Sequence, residues 1–290
     1  MEFIKKIAVP AIAFVFVAFP LTVLAEDSYD QFNDPFRIYI GSFWPTVSSK
    51  VKINGDVLTP GRPISIEDQL GVEDSADTVW GGVEWRISQR NTLEFETFAL
   101  NRDGSKSGTF SPWIQIGDTF IESGAIATSL DTSISRLTYG FSVKRSERSD
   151  LQLLAGLHIA NFQVGLQLSG NICDQSTVPT TPPGCPAATL GADEEDVTAP
   201  LPHFGVSYAY AISPSVALRL QALAFAIEIN SIDGSIFGVD ADLVWQPTRH
   251  FGAGMGIRYY NFNVKSKGSD LNGEFDFEYV GPVLYIQTTF

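Results

Sequence analysis

Apolar and polar residues alternate along most of the chain after residue 35. The last segment, EYVGPVLYIQTTF, shows the pattern clearly. Its residues of one parity are Phe290, Thr288, Ile286, Leu284, Pro282 and Val280, and those of the other are Thr289, Gln287, Tyr285 and Gly281. Because successive side chains of a strand point to opposite faces, this predicts a strand with one mostly apolar face and one polar or small face. Such a strand suits either a soluble sheet or the wall of a barrel in lipid.

The same alternation predicts ten strands. They cover Phe36–Ile53, Thr78–Ile87, Leu93–Ile116, Thr119–Val143, Leu151–Ser169, Val197–Ile212, Val216–Ile229, Ile236–Trp245, Phe251–Lys265 and Phe275–Phe290. Short turns at SQRN, RSERSD, SPS and PTRH alternate with longer connections, which we place near 54–77, 110–125, 170–196, 230–235 and 266–273. Short turns at one end and long loops at the other are typical of a transmembrane antiparallel up-and-down barrel. The predicted fold class is therefore all-β, a single barrel of about ten strands, with eight or twelve as alternatives.

Charged residues recur on the face opposite the apolar one. They are Arg37, Glu84, Arg86, Glu94, Glu96, Arg136, Arg219, Asp240, Asp242 and Arg258. An Arg or Lys on the lipid face at mid-membrane costs about 2–4 kcal/mol, so all ten are predicted to point into the lumen. Because a narrow lumen cannot hold unpaired charges, the arginines should pair with the carboxylates and plug the barrel. The alternative is a water-filled pore in which the same charges are solvated.

Three predicted strands change the parity of their apolar residues partway along. The changes fall near Trp44-Pro45 in the first strand, near Ala160 in the fifth and at Tyr259-Tyr260 in the ninth. A β-bulge would re-aim each strand at that point. Alternatively, the far portion of each strand leaves the membrane and needs no lipid face. The sequence is compatible with both interpretations.

Aromatic residues gather near the strand ends that carry the short turns. They are Phe36, Trp85, Phe141, Trp245, Phe251 and Tyr285. Barrels in membranes carry girdles of aromatic residues at both interfaces, and these six are predicted to belong to one of them. Ordinary core packing is the alternative for each residue taken singly.

The beginning of the chain predicts export. Lys5 and Lys6 precede an almost wholly apolar stretch, and Val23-Leu24-Ala25 has the small-residue pattern of a cleavage site. Residues 1–25 are therefore predicted to be a signal peptide, with a retained anchor as the alternative. Residues 26–35 would follow as an N-terminal periplasmic segment and 36–290 as the barrel. No later stretch has the roughly 20 apolar residues of a membrane helix, so strands would have to span the membrane.

Charge and cysteine usage fit an exported protein without a cofactor. The net charge of −14 at pH 7 provides no basic surface for nucleic acid, whose binding is dominated by cationic contacts to phosphate. The two cysteines, Cys173 and Cys185, flank a loop rich in Pro and Thr and are predicted to form a disulfide in an oxidising compartment. A metal site would need more Cys or His nearby, so neither a metal nor a cofactor is predicted.

Residues 36–290 resemble the small outer-membrane β-barrel proteins of Gram-negative bacteria, the broad group that holds the opacity-type barrels. The resemblance rests on the signal peptide, the alternating strands and the terminal VLYIQTTF. It implies that Leu284, Ile286 and Phe290 form a signal for the barrel assembly machinery, although Thr288 departs from the apolar residue usual at its place. The segment ISIEDQLGVEDS is similar to one in uncharacterised members and implies no activity.

The resemblance also implies a setting for the protein in the cell envelope. The chain should be a monomer in the outer membrane, with both ends of the barrel chain on the periplasmic side. Its partners there would be outer-membrane lipid and lipopolysaccharide. The sequence names no surface ligand.

Some barrels of this kind are enzymes, and no catalytic residue is predicted here. Omptin proteases use acidic pairs with an Asp-His pair, which Asp240 and Asp242 resemble only superficially, because no His neighbours them. His203 and Ser207 lie about 13 Å apart at strand rise, too far for the His-Ser contact of a lipid A deacylase. His158 is expected to face the lumen, and His250 lies in a short turn. The acidic stretch GADEED is interpreted as solvated rather than as a cation site.

The predicted function is therefore that of a non-enzymatic envelope scaffold or surface-contact protein with a charge-plugged lumen. A narrow porin-like channel for small solutes is one alternative. An outer-surface hydrolase that acts on proteins or on lipid A is the other.

Overall fold

A computed structural model describes residue 32 and residues 34–54, 62–116, 119–174, 187–229, 232–267 and 272–290. Its elements are β1 (Phe36–Phe43), β2 (Thr46–Ile53), β3 (Ile64–Ser65), α1 (Ile66–Leu70), β4 (Thr78–Arg86), β5 (Asn91–Ile116), β6 (Thr119–Arg145), β7 (Ser149–Asp174), β8 (Ala187–Ser213), β9 (Val216–Ile229), β10 (Ile232–Trp245), β11 (Phe251–Lys267) and β12 (Asn272–Thr289). The predicted signal peptide lies outside the described residues. Within them, no helix has the length and apolar character needed to cross a membrane.

The strands close into an antiparallel up-and-down barrel. Neighbouring strands pair in the order β1-β4-β5-β6-β7-β8-β9-β10-β11-β12, and β1 pairs with β12 to complete the ring. β2 continues β1 along β12, because Phe43 faces Val283 and Thr46 faces Val280 in one unbroken register. Trp44 bridges the gap by donating its backbone N–H to the Pro282 carbonyl at 3.1 Å. Counting β1 and β2 as one barrel strand gives ten, so the predicted fold class is confirmed.

Two ends of the barrel differ in their connections. At one end, short turns join β4 to β5, β6 to β7, β8 to β9 and β10 to β11, and both termini of the barrel chain lie there. We call the adjoining part the short-turn half and the opposite part the long-loop half. The change from one half to the other falls near Trp44-Pro45, Ala160 and Tyr259-Tyr260.

The outer face of the short-turn half is an apolar band. The large apolar side chains exposed on this face include Ile38, Ile40, Val83, Phe95, Leu137, Leu153, Val206, Leu220, Val239, Leu243, Met255, Leu284 and Ile286. Inward glycines leave room for bulky luminal side chains from neighbouring strands: Gly82 lies under the Tyr39 ring and Gly254 under the Tyr285 ring. The strands therefore have glycine at the inward positions that a large side chain from the neighbouring strand covers.

Register decides between the two interpretations of the parity changes. Strand pairing runs without interruption past Trp44-Pro45, Ala160 and Tyr259-Tyr260. The register shifts that do occur lie elsewhere, between Thr109 and Ile114 and between Leu166 and Leu168, for example. The bulge interpretation is therefore wrong at these three positions. The same face of each strand points inward along its whole length. At these positions the inward residues change from polar to apolar, and the outward residues change from apolar to polar.

In the long-loop half the outer face is polar and the lumen is apolar. On the outside of β11 and β12, Tyr259 donates to Glu278 at 3.0 Å and Asn261 to Asp276 at 2.9 Å. Inside, a packed cluster fills the lumen and consists of Phe43, Val47, Phe98, Leu100, Phe162, Leu201, Leu223, Ile236, Tyr260, Phe262, Phe277 and Tyr279, among others. Many of its rings pack edge to face, as Phe98 does on Tyr279 at 5.5 Å between centroids.

The segment from β3 to β4 packs against the upper walls of the barrel. β4 is much shorter than β5, and Val72 instead forms a bridge to Gly104 of β5, while β3 pairs with β2. Helix α1 begins at the N-cap Ser65, whose hydroxyl accepts from the Asp68 backbone N–H, and ends at Gly71 with φ 75°. Its apolar side chains join a second cluster of Ile64, Ile66, Leu70, Val72, Phe110, Ile114, Ile121, Ile126, Leu130, Leu168 and Ile172.

Two details of the sequence prediction need correction. Most residues of the predicted loops 110–125, 170–196, 230–235 and 266–273 continue the strands, because the ladder of backbone hydrogen bonds extends beyond the rim wherever two strands stay adjacent. Gly124 and Gly170, for example, face each other across β6 and β7. Tyr285 is 2% exposed and points into the lumen, so it is not part of the outer girdle.

Candidate functional site in the barrel lumen

All ten predicted lumen charges take part in ion pairs within the short-turn half. Strand parity explains the placement, since the inward positions are odd in β1 and β9 and even in β4, β5, β6, β10 and β11. The network has three parts that share no ion pair. One part surrounds Arg37, the second surrounds Arg136 and Arg258, and the third is the pair of Arg86 with Asp150.

The first part centres on Arg37. Its guanidinium binds Glu84 at 2.6 Å and Glu94 at 3.1 Å, which unites three neighbouring strands. Arg219 reaches the same Glu84 oxygen at 3.1 Å from β9, across the lumen. The Tyr39 hydroxyl donates to Glu94 at 2.9 Å. These pairs span the barrel and do not merely follow its wall.

The second part lies deeper and joins opposite walls. Arg136 of β6 binds Glu96 of β5 at 2.7 Å and Asp240 of β10 at 3.0 Å, and it also contacts the Tyr260 hydroxyl. Arg258 binds Asp242 through both carboxylate oxygens, at 2.8 and 2.9 Å. A two-point contact of this kind fixes the geometry of both groups. The Arg258 guanidinium also lies 4.8 Å from the Trp80 ring centroid.

Two ion pairs contain charged residues that the sequence analysis missed. Arg86 pairs with Asp150 at 3.1 Å, not with Glu84 or Glu94. Asp150 belongs to the predicted turn RSERSD, because the sequence analysis began this strand at Leu151. In the structure β7 begins at Ser149, and Asp150 then occupies an inward position of the strand. In the long-loop half, the buried Arg102 binds Glu67 of α1 at 2.8 Å and the Ser49 hydroxyl at 3.1 Å. Nothing in the sequence pairs a helix residue with that strand.

A cavity of about 90 Å³ occupies the lumen of the short-turn half. It is lined by charged residues of all three parts of the network and by polar residues nearer the short turns, such as Thr92 and Gln152. Phe32, from the segment before β1, also lines it, and the Phe32 carbonyl accepts from Arg145 at 2.7 Å. Beyond Tyr260, the described part of the lumen is filled by the aromatic cluster.

The histidines form no acid-base pair with the aspartates that the sequence analysis considered. His158 and His203 are 1% and 0% exposed and contact each other through their Nδ1 atoms at 3.0 Å. The Nε2 atom of His203 lies 3.2 Å from the Thr138 hydroxyl. His250 lies at the short-turn end, where its Nδ1 contacts the Thr289 carbonyl at 2.8 Å. Asp240 and Asp242 pair with arginines.

The remaining predicted sites lie on the wall of the barrel. Leu284, Ile286 and Phe290, the predicted assembly signal, point outward and are 52%, 66% and 58% exposed. Phe290 also exchanges two backbone hydrogen bonds with Phe36, which joins the last strand to the first. Cys173 lies near the end of β7, and Cys185 lies outside the described residues, so their disulfide stays a prediction.

No protein-family model and no characterised protein sequence matches the chain. Its fold matches solved bacterial outer-membrane β-barrels. The outer membrane protease OmpT from Escherichia coli aligns with a TM-score of 0.56 and 11% identity over 88% of this chain and 97% of its own. The toluene transporter TodX from Pseudomonas putida aligns with a TM-score of 0.36 and 8% identity over 89% of this chain and 90% of its own. The attachment invasion locus protein Ail of Yersinia pestis aligns with a TM-score of 0.27 and 9% identity over 86% of this chain and 97% of its own.

The likeness to OmpT establishes the class of fold. At 11% identity it carries no activity to this chain. The chain thus has the fold of a bacterial outer-membrane β-barrel, with ten strands and a lumen that holds a network of paired charges.

Proposed function

We propose that the protein is a non-enzymatic barrel of the outer membrane whose lumen is closed, and that it serves as an envelope scaffold or as a surface-contact protein. The observation that supports this most is the luminal network, in which Arg136 joins β6 to carboxylates on two other strands at 2.7 and 3.0 Å. Paired charges of this kind link opposite walls and leave little room for a solute path.

The apolar band supports the membrane location. The band runs along β12 from Val280 to Phe290, about 11 residues, which is the length of a tilted transmembrane strand. In this proposal the short-turn end and both ends of the barrel chain face the periplasm, while the long-loop half projects outside. Membership of the opacity-type group is part of the same proposal and rests on the sequence resemblance alone.

A hydrolase is disfavoured by the position of the described histidines. His158 and His203 are buried beneath the aromatic cluster, and His250 lies at the opposite end from the surface on which such enzymes act. A general base has to reach its substrate within hydrogen-bond distance or through one water. Among the residues that the structure describes, the packed side chains of the aromatic cluster lie between these rings and a substrate outside the cell.

A narrow channel is the second candidate, and the cavity of about 90 Å³ is the observation that favours it. Currents through single barrels in planar bilayers separate the two functions. The closed barrel should show no steady current, whereas a channel should show steady current in the wild type. The double variant Glu94→Gln, Glu96→Gln sharpens the test, because it leaves Arg37 and Arg136 short of partners.

In a closed barrel the double variant should lower stability by several kcal/mol, since two buried arginines each lose one of their two carboxylate partners. In a channel it should change ion selectivity and leave stability nearly unchanged. Glu278→Gln, on the polar outer face of the long-loop half, is the matched control. Large steady wild-type currents together with an unchanged stability of the double variant would refute the closed barrel.

A further inference from the structure

The cavity in the short-turn half is covered in part by a residue that does not belong to the barrel wall. Its other lining residues lie on the strands, but Phe32 comes from the segment before β1. Phe32 is 4% exposed, so little of its side chain meets solvent although it lies at the short-turn end. We call this cavity the lumen chamber.

The short-turn end of the barrel is closed in two different ways. On the β10–β12 side, Gln246 donates to the Thr289 hydroxyl at 2.9 Å, and Gln287 donates to the Gln246 amide oxygen at 2.8 Å. These three buried residues form a layer of side chains that the barrel itself provides. None of the three lines the lumen chamber, and over the chamber Phe32 takes the place of such a layer.

Hydrogen bonds fix the chain at two points beside the chamber. The Arg145 guanidinium donates to the Phe32 carbonyl at 2.7 Å and also to the carbonyl of Gln89, in the turn between β4 and β5. Three residues after Phe32, the Pro35 carbonyl accepts from the Arg86 backbone N–H at 2.8 Å. Three residues span at most about 10 Å, so Phe32 stays near the chamber even when its ring leaves it.

The lining of the chamber suits water better than it suits an aromatic ring. Gln152 donates to Asp150 at 2.9 Å, and Thr92 donates to the Gln152 amide oxygen at 3.1 Å. Asp150 Oδ1 and Arg86 Nη1 are buried and have no hydrogen-bond partner among the described residues. Such atoms gain free energy when water reaches them. The volume of about 90 Å³ is enough for several water molecules, so an open chamber would be hydrated.

We propose that Phe32 is a reversible stopper of the lumen chamber and that Arg145 holds it in the closed position. When the ring leaves, water and solutes of a few heavy atoms enter from the short-turn end and reach the pair of Arg86 with Asp150. The aromatic cluster still separates the chamber from the long-loop half. This rests on the proposed function, which places the short-turn end in the periplasm, and it gives the segment before β1 control of access from that side.

The test measures how fast a thiol inside the chamber reacts with a reagent outside it. Thr92→Cys supplies the thiol at a buried position of the chamber lining, in a chain that also carries Cys173→Ser and Cys185→Ser. The full barrel in detergent micelles is treated with aminoethyl methanethiosulfonate, and mass spectrometry follows the modification. Only protein that shows the heat-dependent gel mobility shift is counted, so that unfolded chains do not contribute.

Removal of the ring should expose the thiol. Phe32→Ala should raise the rate of modification about tenfold, because the rate follows the fraction of molecules in which the chamber is open. Phe32→Leu should raise it less, since Leu keeps most of the apolar volume. Arg145→Met should also raise it, because the ring is kept and its hydrogen-bonded anchor is lost. If Phe32→Ala does not fold, these two variants carry the test.

Two matched controls exclude a general effect on the short-turn end. Phe251→Ala removes an exposed Phe at the same end, one that does not line the chamber, and should leave the rate at Thr92→Cys unchanged. A thiol in the exposed turn between β10 and β11, Thr248→Cys, should react equally fast with and without the Phe32 ring. The same rate at Thr92→Cys in wild-type and Phe32→Ala backgrounds, or an equal rise in Phe251→Ala, would overturn the proposal.

Single-barrel currents separate this proposal from the proposed function. A steady wild-type current contradicts the closed lumen, and the thiol rates then still decide whether Phe32 is a stopper. Absence of current together with equal thiol rates in the wild type and Phe32→Ala contradicts the stopper only.

Discussion

The two halves of the barrel share strands and differ in where their polar groups lie. In the short-turn half, Arg136 and its partners are inside and residues such as Leu284 are outside. In the long-loop half, Phe277 is inside and Asn263 is outside. Because the strand faces do not change, the difference reflects the surroundings. An apolar outer face suits lipid, a polar outer face suits water, and the lumen of each half is packed with the opposite kind of side chain.

The comparison also shows two ways to close a tube. Ion pairs close the short-turn half, and each depends on a partner from another strand. Interlocking aromatic rings close the long-loop half, and each ring has several neighbours that can adjust. Loss of one residue should therefore have different consequences in the two halves.

The largest effect is expected for Arg136→Met. The change leaves Glu96 and Asp240 buried without that guanidinium, and removing one partner of a buried pair costs about 3–5 kcal/mol. The free energy of unfolding in vesicles should fall by that amount, and small ion currents should appear. Lys265→Met, on the outer wall, should lower the free energy of unfolding by at most about 1 kcal/mol and should produce no currents. A variant as stable as the wild type would show that the network is solvated.

Phe277→Ala tests the other half. Phe277 is fully buried among aromatic rings, with Phe162 at 5.2 Å between centroids, and removing a buried Phe side chain costs about 3–5 kcal/mol. Stability should fall, but the barrel should stay closed, because the charge network below is untouched. Conductance and urea unfolding measured on the same preparation check both expectations. Currents as large as those of Arg136→Met would contradict the division into two independent closures.

The sequence could predict the strands and the inward charges because both depend only on parity. Ten strands and all ten lumen charges follow from alternation, and the register then decides which partners meet. The exchange of polarity between the halves was harder, since an apolar residue at position 43 or 47 does not reveal whether lipid or other side chains cover it. Phe43 and Val47 are luminal, in register with Tyr39.

Long-range partners were beyond the sequence for a related reason. Arg219 of β9 comes within reach of Glu84 only because the ring closes, and chain separation gives no sign of it. The contact between Glu67 and Arg102 depends on α1 folding against the β5 wall. No local sequence pattern predicts either contact.

Leu284→Arg tests the outer faces. Leu284 lies in the middle of the band along β12, and an Arg there costs about 2–4 kcal/mol at mid-membrane. The same substitution at Asn263, on the polar outer wall, should cost little. The gel-shift temperature of both variants in vesicles checks this. Equal losses would show that the boundary between lipid and water does not fall between these two positions.

The smallest effect is expected for the ion pair on the outer wall, Lys265 with Glu274. Its atoms are 2.9 Å apart, close to the 2.7 Å between Arg136 and Glu96, but its side chains are 43% and 35% exposed whereas those of the buried pair are 4% and 10%. Exposed pairs contribute about 0–1 kcal/mol because water and salt screen them. Distance alone therefore says little about what an ion pair contributes.

Acid titration measures that contribution directly. The hydrogen bond from Lys265 lowers the pKa of Glu274 below its usual value. A carboxyl with a lowered folded pKa stabilises the protein above its unfolded pKa of about 4.3, and this stabilisation is lost as the pH falls through the lower folded value. Glu274→Gln should therefore unfold slightly more easily than the wild type at pH 7, and the difference should shrink as the pH falls below about 4.3 and vanish once Glu274 is protonated in the folded protein. A difference that does not shrink in acid, or one that matches the loss in Arg136→Met, would show that this pair is shielded from water and that the outer wall of the long-loop half is covered.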